Sequence, residues 1–157
     1  MEIWGIILIL FSGIGVAIYL IGGAQNVLTC AKAALELITY SKNAVDNYSM
    51  PAAEILAGCK QDIIFDLGYD NSKKRPESFL ELCDGAQMSD KASAQILLDF
   101  ANGFGKSYRL QQSEECQRAI EKLRLRVSEL EGELPMRKKM IVSVCISVAL
   151  VIIILLI

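Results

Sequence analysis

The sequence predicts an all-α chain in which N-terminal and C-terminal transmembrane helices flank a cytoplasmic helical bundle. Two long apolar runs without a charge stand at either end of the 157 residues, and all 16 lysines and arginines lie between them. Wherever the middle segment shows a period it is the helical one, with no useful stretch of strand-like alternation. The resulting organisation is a span over residues 3–24, a bundle over residues 25–139 and a second span over residues 140–157.

The first run has 22 residues, enough to cross a hydrocarbon core of about 30 Å at about 1.5 Å per residue. A cleaved secretory signal is the competing reading. That reading wants a cationic start and a shorter run, whereas Glu2 is the only early charge here. Trp4 and Tyr19 stand near opposite ends of the span as interfacial anchors. Gly13 with Ala17, and Ser143 with Ser147 in the last run, have the four-residue spacing that lets membrane helices approach closely. Self-association or docking with other spans is the expectation they carry.

A helix is predicted from residue 26 to about residue 45, with Val27, Ala31, Ala34, Leu35 and Ile38 on one face. It continues the first span past Gly22 and Gly23, a pair placed to act as a swivel because glycine weakens a helix by about 1 kcal/mol relative to alanine. Pro51 then opens a second helix, with Ser49 as its cap, running to about residue 67 on the stripe Ala52, Ile55, Leu56, Cys59 and Ile63.

Residues 68–75 (GYDNSKKR) read as a polar loop. Lys73, Lys74 and Arg75 raise the question of nucleic acid, but beside Asp70 in an acidic protein they are expected to be solvated, and no nucleic-acid partner is expected. Pro76 opens a third helix through residues 78–83, and a turn at Asp84 and Gly85 leads to a fourth from about residue 89 to residue 103. Its face is Ile96, Leu97, Phe100 and Phe104. The glycines of ANGFG, residues 101–105, mark a bend or a close approach. Gly105-Lys106-Ser107 is a chance echo of a phosphate loop without its spacing.

The strongest pattern is a heptad seam of Cys116, Ile120, Leu123, Val127, Leu130 and Leu134. Being short, it is expected to pack within its own bundle, the alternative being a partner helix. Glu114 with Arg118, and Arg126 with Glu129, have the spacing of surface ion pairs. Pro135 is placed to kink or end this helix at the membrane. The 18 uncharged residues that follow could instead be a core helix, but 115 middle residues of modest apolar content are too few to cover two such helices. Lys32 and Lys42 on one side and Arg137, Lys138 and Lys139 on the other then put the middle segment in the cytoplasm. The last three are expected at the interface, reaching anionic headgroups of membrane lipid.

Composition removes most catalytic chemistry. The chain has no histidine, and its five cysteines, Cys30, Cys59, Cys83, Cys116 and Cys145, form no C-x-x-C pair, so they read as small buried thiols rather than metal ligands or disulfides. Glu129, Glu131 and Glu133 alternate along an exposed helix and do not converge on a pocket. Neither span contains an Asp, Glu, Lys, Arg or His side chain to relay ions. The expectation is a protein that is not an enzyme and takes no cofactor or metal.

Residues 33–40 (AALELITY), residues 51–56 (PAAEIL), Phe104-Gly105, Gln117 with Ile120, and Lys139-Met140-Ile141 opening the last run together resemble the stage III sporulation protein AB family. The resemblance covers nearly the whole chain, through hydropathy and helix order more than sharp motifs. Where that family often has a Leu-Gly pair and then an aspartate, this chain has Tyr108-Arg109 and Gln112.

Membership would imply a membrane component of the sporulation complex linking mother cell and forespore, set in the mother-cell membrane that faces the forespore. It would also imply similarity to the platform protein of type II secretion and type IV pilus systems. Such a subunit would sit above a cytoplasmic ring ATPase and contact other membrane subunits. The predicted contact residues are Gly103, Phe104, Gly105 and Arg109 at the bend, with Gln117, Arg118, Lys122 and Glu129 flanking the seam. The competing expectation is a small membrane tether or sensor that self-associates through its cytoplasmic helices.

Overall fold

The computed structural model describes the backbone of residues 2–48, 50–70, 72, 74–106 and 108–156, and the side chains of these from residue 11 to residue 154. Ser49, Lys73 and Ser107 fall outside the described residues, as does the side chain of Trp4. Among the described residues the chain is all-helical and has no strand. The helices are α1 Glu2–Tyr48, α2 Ala52–Gly58, α3 Gln61–Asp66, α4 Phe79–Gly85, α5 Lys91–Gly103 and α6 Arg109–Leu156.

The chain divides into two compact units, one of Met1–Gln25 with Glu131–Ile157 and one of Asn26–Leu130. The second has the conventional core. On α1 its buried residues Ala34, Leu37, Ile38, Ser41 and Val45 recur at three- and four-residue steps, a single helical stripe. Alanines at positions 31, 33 and 34 let neighbouring helices come close, and the hydroxyl of Ser41, fully buried, donates to the Leu37 carbonyl at 2.8 Å. Ile55 and Leu56 of α2, Ile63 and Ile64 of α3, and Leu82 of α4 pack onto that stripe.

The seam on α6 is consumed inside this unit. Cys116, Ile120 and Leu123 belong to the main core, and Val127 and Leu130 pack with Ala31. The intramolecular expectation for the seam therefore holds, while Leu134 is only half-buried.

The helix expected from Pro51 to residue 67 is two helices, because Cys59 and Lys60 adopt extended backbone (ψ 146 and 137). Arg75 holds the break open: its guanidinium donates to the carbonyls of Ala57 and Cys59, both at 2.7 Å, satisfying the end of α2. Arg75 is thus a structural clamp and not merely a solvated cation. Pro51 is the residue before α2, where its carbonyl accepts from Glu54 and Ile55, both at 3.1 Å.

After α3 the backbone turns through Gly68 at φ 86, and a β-carbon there would lie 2.6 Å from the Gln87 carbonyl oxygen. Pro76 precedes α4 rather than opening it. The cap is Ser78, whose hydroxyl accepts from the Glu81 amide at 3.1 Å. Asp90 caps α5 in the same way, accepting from the amide and hydroxyl of Ser93 at 3.1 and 2.6 Å. Phe79, Phe100 and Phe104 form an aromatic trio with ring centroids 4.7 to 5.3 Å apart.

Of the two long helices, α1 runs on past Gly22 and Gly23, as expected, and α6 passes through Pro135 without ending there. Pro135 lacks an amide hydrogen, so one carbonyl a turn earlier goes without its helical donor. In the first unit Gly13 faces α6 closely, a β-carbon there falling 3.8 Å from that of Ala149. Over residues 11–21 and 140–154 of this unit most outward-facing side chains are apolar, among them Phe11 at 72% and Ile154 at 73% exposure. Among the described residues one helical stretch, Phe11–Tyr48, is long and apolar enough to cross a membrane, at a mean hydropathy of 1.5.

Candidate functional site

On the second unit α5 and α6 leave a cleft of about 220 Å³ between them. Its floor is Phe100 and Ala119, both buried, with Ile96 beside them. Asp99 and Gly103 of α5 and Glu115, Arg118 and Lys122 of α6 form the rim. The residues reach the cleft through helical repeat: 96, 99, 100 and 103 share one face of α5, as 115, 118, 119 and 122 share one face of α6. Gly103 lies close under the rim, and a β-carbon there would stand 3.2 Å from Glu115 Oε2, the end of a flexible side chain.

Two acids and two bases around an apolar floor give a surface of mixed charge. Arg118 pairs with Glu114 at 3.5 Å, and Gln95 donates to Asp99 at 2.8 Å, contacts exposed enough to exchange for a partner's groups at little cost. A volume of about 220 Å³ is below the range of small-molecule pockets, roughly 300 to 1,000 Å³, and suits one or two side chains of another protein.

Three of the sequence-predicted contact residues, Gly103, Arg118 and Lys122, meet at this cleft. The others do not line it. Phe104 is half-buried in the aromatic trio, and Gly105 turns the chain beyond α5 at φ 79. Arg109 begins α6 and is exposed, Gln117 donates to Glu121 at 3.1 Å, and Glu129 accepts from Arg126 at 3.3 Å. Of the interfacial residues, Tyr19 is 80% exposed and Arg137 pairs with Glu133 at 2.9 Å. Lys138 is half-buried and Lys139 exposed.

The feature that sequence reasoning missed lies near the seam. Arg126, expected to pair only with Glu129, makes its shorter contact to Asp90, at 2.8 Å, and that carboxylate is 5% exposed. The guanidinium holds the Asp90 carboxyl down to about 2 against the opposing effect of burial. Asp90 with Ser93 three residues on was a visible capping signal, but nothing local announces its pairing with a residue on another helix.

The five cysteines are free. Cys30, Cys59 and Cys116 are buried and Cys83 and Cys145 half-buried. Burial pushes the Cys83 and Cys116 thiols up to about 11, which leaves them protonated and unreactive near neutral pH.

A family model described as stage III sporulation protein AB matches residues 73–157. The match takes in α4, α5 and α6, and with them both sides of the cleft. Phe104-Gly105, Gln117, Ile120 and Lys139-Met140-Ile141 fall inside it, whereas residues 33–40 and 51–56 precede it. No curated protein and no solved structure matches the chain.

Proposed function

The chain belongs to the stage III sporulation protein AB family, whose model covers more than half of it and gives it a sporulation-related role; from that membership we propose a non-enzymatic, platform-type membrane subunit. In this reading residues 140–157 form a second span and the Asn26–Leu130 unit is cytoplasmic. That unit couples a ring ATPase to other membrane subunits of the complex between mother cell and forespore.

The observation that carries the reading is the division of surfaces. Where the chain has no charge its exterior is aliphatic, with Val144, Ile146, Leu150 and Val151 of α6 all more than half exposed. A water-soluble protein seldom tolerates so large a continuous apolar surface, and a bilayer accounts for it. The lysines and arginines all lie between the two runs, which supports a cytoplasmic body. The cleft then supplies the docking point, with charges at the rim for specificity and an apolar floor for affinity.

Self-association through the seam loses its support, because the seam's side chains are used within the chain. A photo-crosslinker at position 118 or 122 of the full-length protein in sporulating cells tests the proposal. Capture of a ring ATPase, or of another subunit of the same complex, is the expected result. Crosslinks only between copies of this chain would favour the tether.

A further inference from the structure

A third groove in the first unit differs in chemistry from its neighbours. It has a volume of about 650 Å³, with Lys138 and Lys139 at one end and Ile21, Val142 and Ile146 along its walls. Ser143 and Ser147, each next in sequence to one of those aliphatic residues of α6, also line it. On α6 these residues follow one another by turns, the two lysines first and then the pairs Val142-Ser143 and Ile146-Ser147, over roughly 12 Å of helix. Two neighbouring grooves, of about 520 and 350 Å³, carry no charged residue.

The two lysines are available to a ligand. Arg137 next to them is engaged with Glu133 at 2.9 Å, but among the described residues neither Lys138 nor Lys139 meets a carboxylate. Ser147 spends its hydroxyl proton on the Ser143 carbonyl at 2.9 Å, while Ser143 keeps its own hydroxyl. A cationic mouth above an aliphatic wall is complementary to a molecule with an anionic head and a hydrocarbon tail. An apolar helix from a neighbouring protein would leave the lysines unanswered.

We propose that this groove holds one anionic phospholipid, its phosphodiester between Lys138 and Lys139 and an acyl chain along Val142, Ile146 and Ile21. The proposal rests on the reading of residues 140–157 as a span. It distinguishes a discrete site from the diffuse attraction that any interfacial cation exerts.

The test is native mass spectrometry of the detergent-solubilised full chain titrated with dioleoylphosphatidylglycerol or dioleoylphosphatidylcholine. One bound phosphatidylglycerol, favoured about tenfold over phosphatidylcholine, is expected. The double variant K138Q/K139Q should lose it by roughly fivefold per lysine, and S143L, which fills the groove without touching a charge, should lose it too. R137Q should retain it. Equal uptake of the two lipids, retention in K138Q/K139Q or S143L, or an equal loss in R137Q would each overturn the site. Labelling of I146C by a membrane-impermeant maleimide in intact vesicles would instead remove the span, and with it the premise.

Discussion

Asp90 and Arg126 form a two-point ion pair across 36 residues of sequence, Nη2 donating to Oδ1 at 2.8 Å and Nε to Oδ2 at 3.1 Å. Asp90 also caps α5, so one carboxylate fixes the start of that helix to the middle of α6. These are the two helices that wall the cleft. The pair therefore sets the separation of the surfaces on which docking is proposed.

Breaking the pair from one side leaves the other charge in a poor environment. Arg126→Met strands a carboxylate that is 5% exposed, and a loss of about 3 kcal/mol in unfolding free energy is expected. Asp90→Asn keeps part of the cap and should cost less, about 2 kcal/mol. Thermal or denaturant unfolding of the full chain in detergent measures both. Losses under about 1 kcal/mol in each would show that the pair does not hold α5 to α6.

The same carboxylate predicts an acid limb. Its folded value, about 2, lies below its ordinary 3.8, so folding favours the ionised form. The contribution is complete above roughly pH 4 and disappears as the pH falls through 3.8 toward 2, amounting to about 2 kcal/mol. Wild type and Asp90→Asn should therefore converge in stability across that window. Other carboxylates titrate in both proteins and cancel, and parallel curves would be incompatible with the pairing.

What was legible in the sequence is what repeats locally. The seam from Cys116 to Leu130 was readable because its period belongs to one helix, and all five positions are buried. The break at Cys59 and Lys60 was not. Ile55, Leu56, Cys59 and Ile63 keep helical spacing straight across it, while its cause, the Arg75 guanidinium, is supplied from 16 and 18 residues away. For the cleft, Gly103, Arg118 and Lys122 could be picked out as polar or flexible positions beside apolar stripes. Asp99 and Glu115 acquire their place only once α5 and α6 are packed.

Gly68 and Gly105 separate two reasons for glycine. Both have positive φ, 86 and 79, but a β-carbon at Gly68 would meet the Gln87 carbonyl, while Gly105 faces open space. Gly105→Ala should cost about 1 kcal/mol for the left-handed backbone alone, and Gly68→Ala about 3 kcal/mol because the contact adds to it. Unfolding midpoints of the two variants compare them directly. Equal losses would mean that the loop yields freely at Gln87.

Leu123 and Leu125 test whether the seam is internal. Leu123 is fully buried and Leu125 is 68% exposed, two residues apart on the same helix. Leu123→Asp places an unpaired charge in the core and should cost more than about 4 kcal/mol, with loss of helical circular dichroism. Leu125→Asp should stay within about 0.5 kcal/mol of wild type. Retained helicity in Leu123→Asp, with loss only of association, would assign the seam to a partner.

The close approach at Gly13 predicts a covalent outcome. A β-carbon built there lies 3.8 Å from that of Ala149, inside the range of roughly 3.5 to 4.5 Å that disulfides require. Cys145 lines the same two grooves as Gly13, so that cysteine's thiol must first be removed as a competitor. In a Cys145→Ala background the double variant Gly13→Cys/Ala149→Cys should crosslink within one chain under mild oxidation, in the membrane, and run faster on a non-reducing gel. Each single variant should not. A bond only between chains would mean that the small-residue faces of α1 and α6 meet across copies instead, which would make this unit an assembly surface and not a hairpin of two helices from one chain.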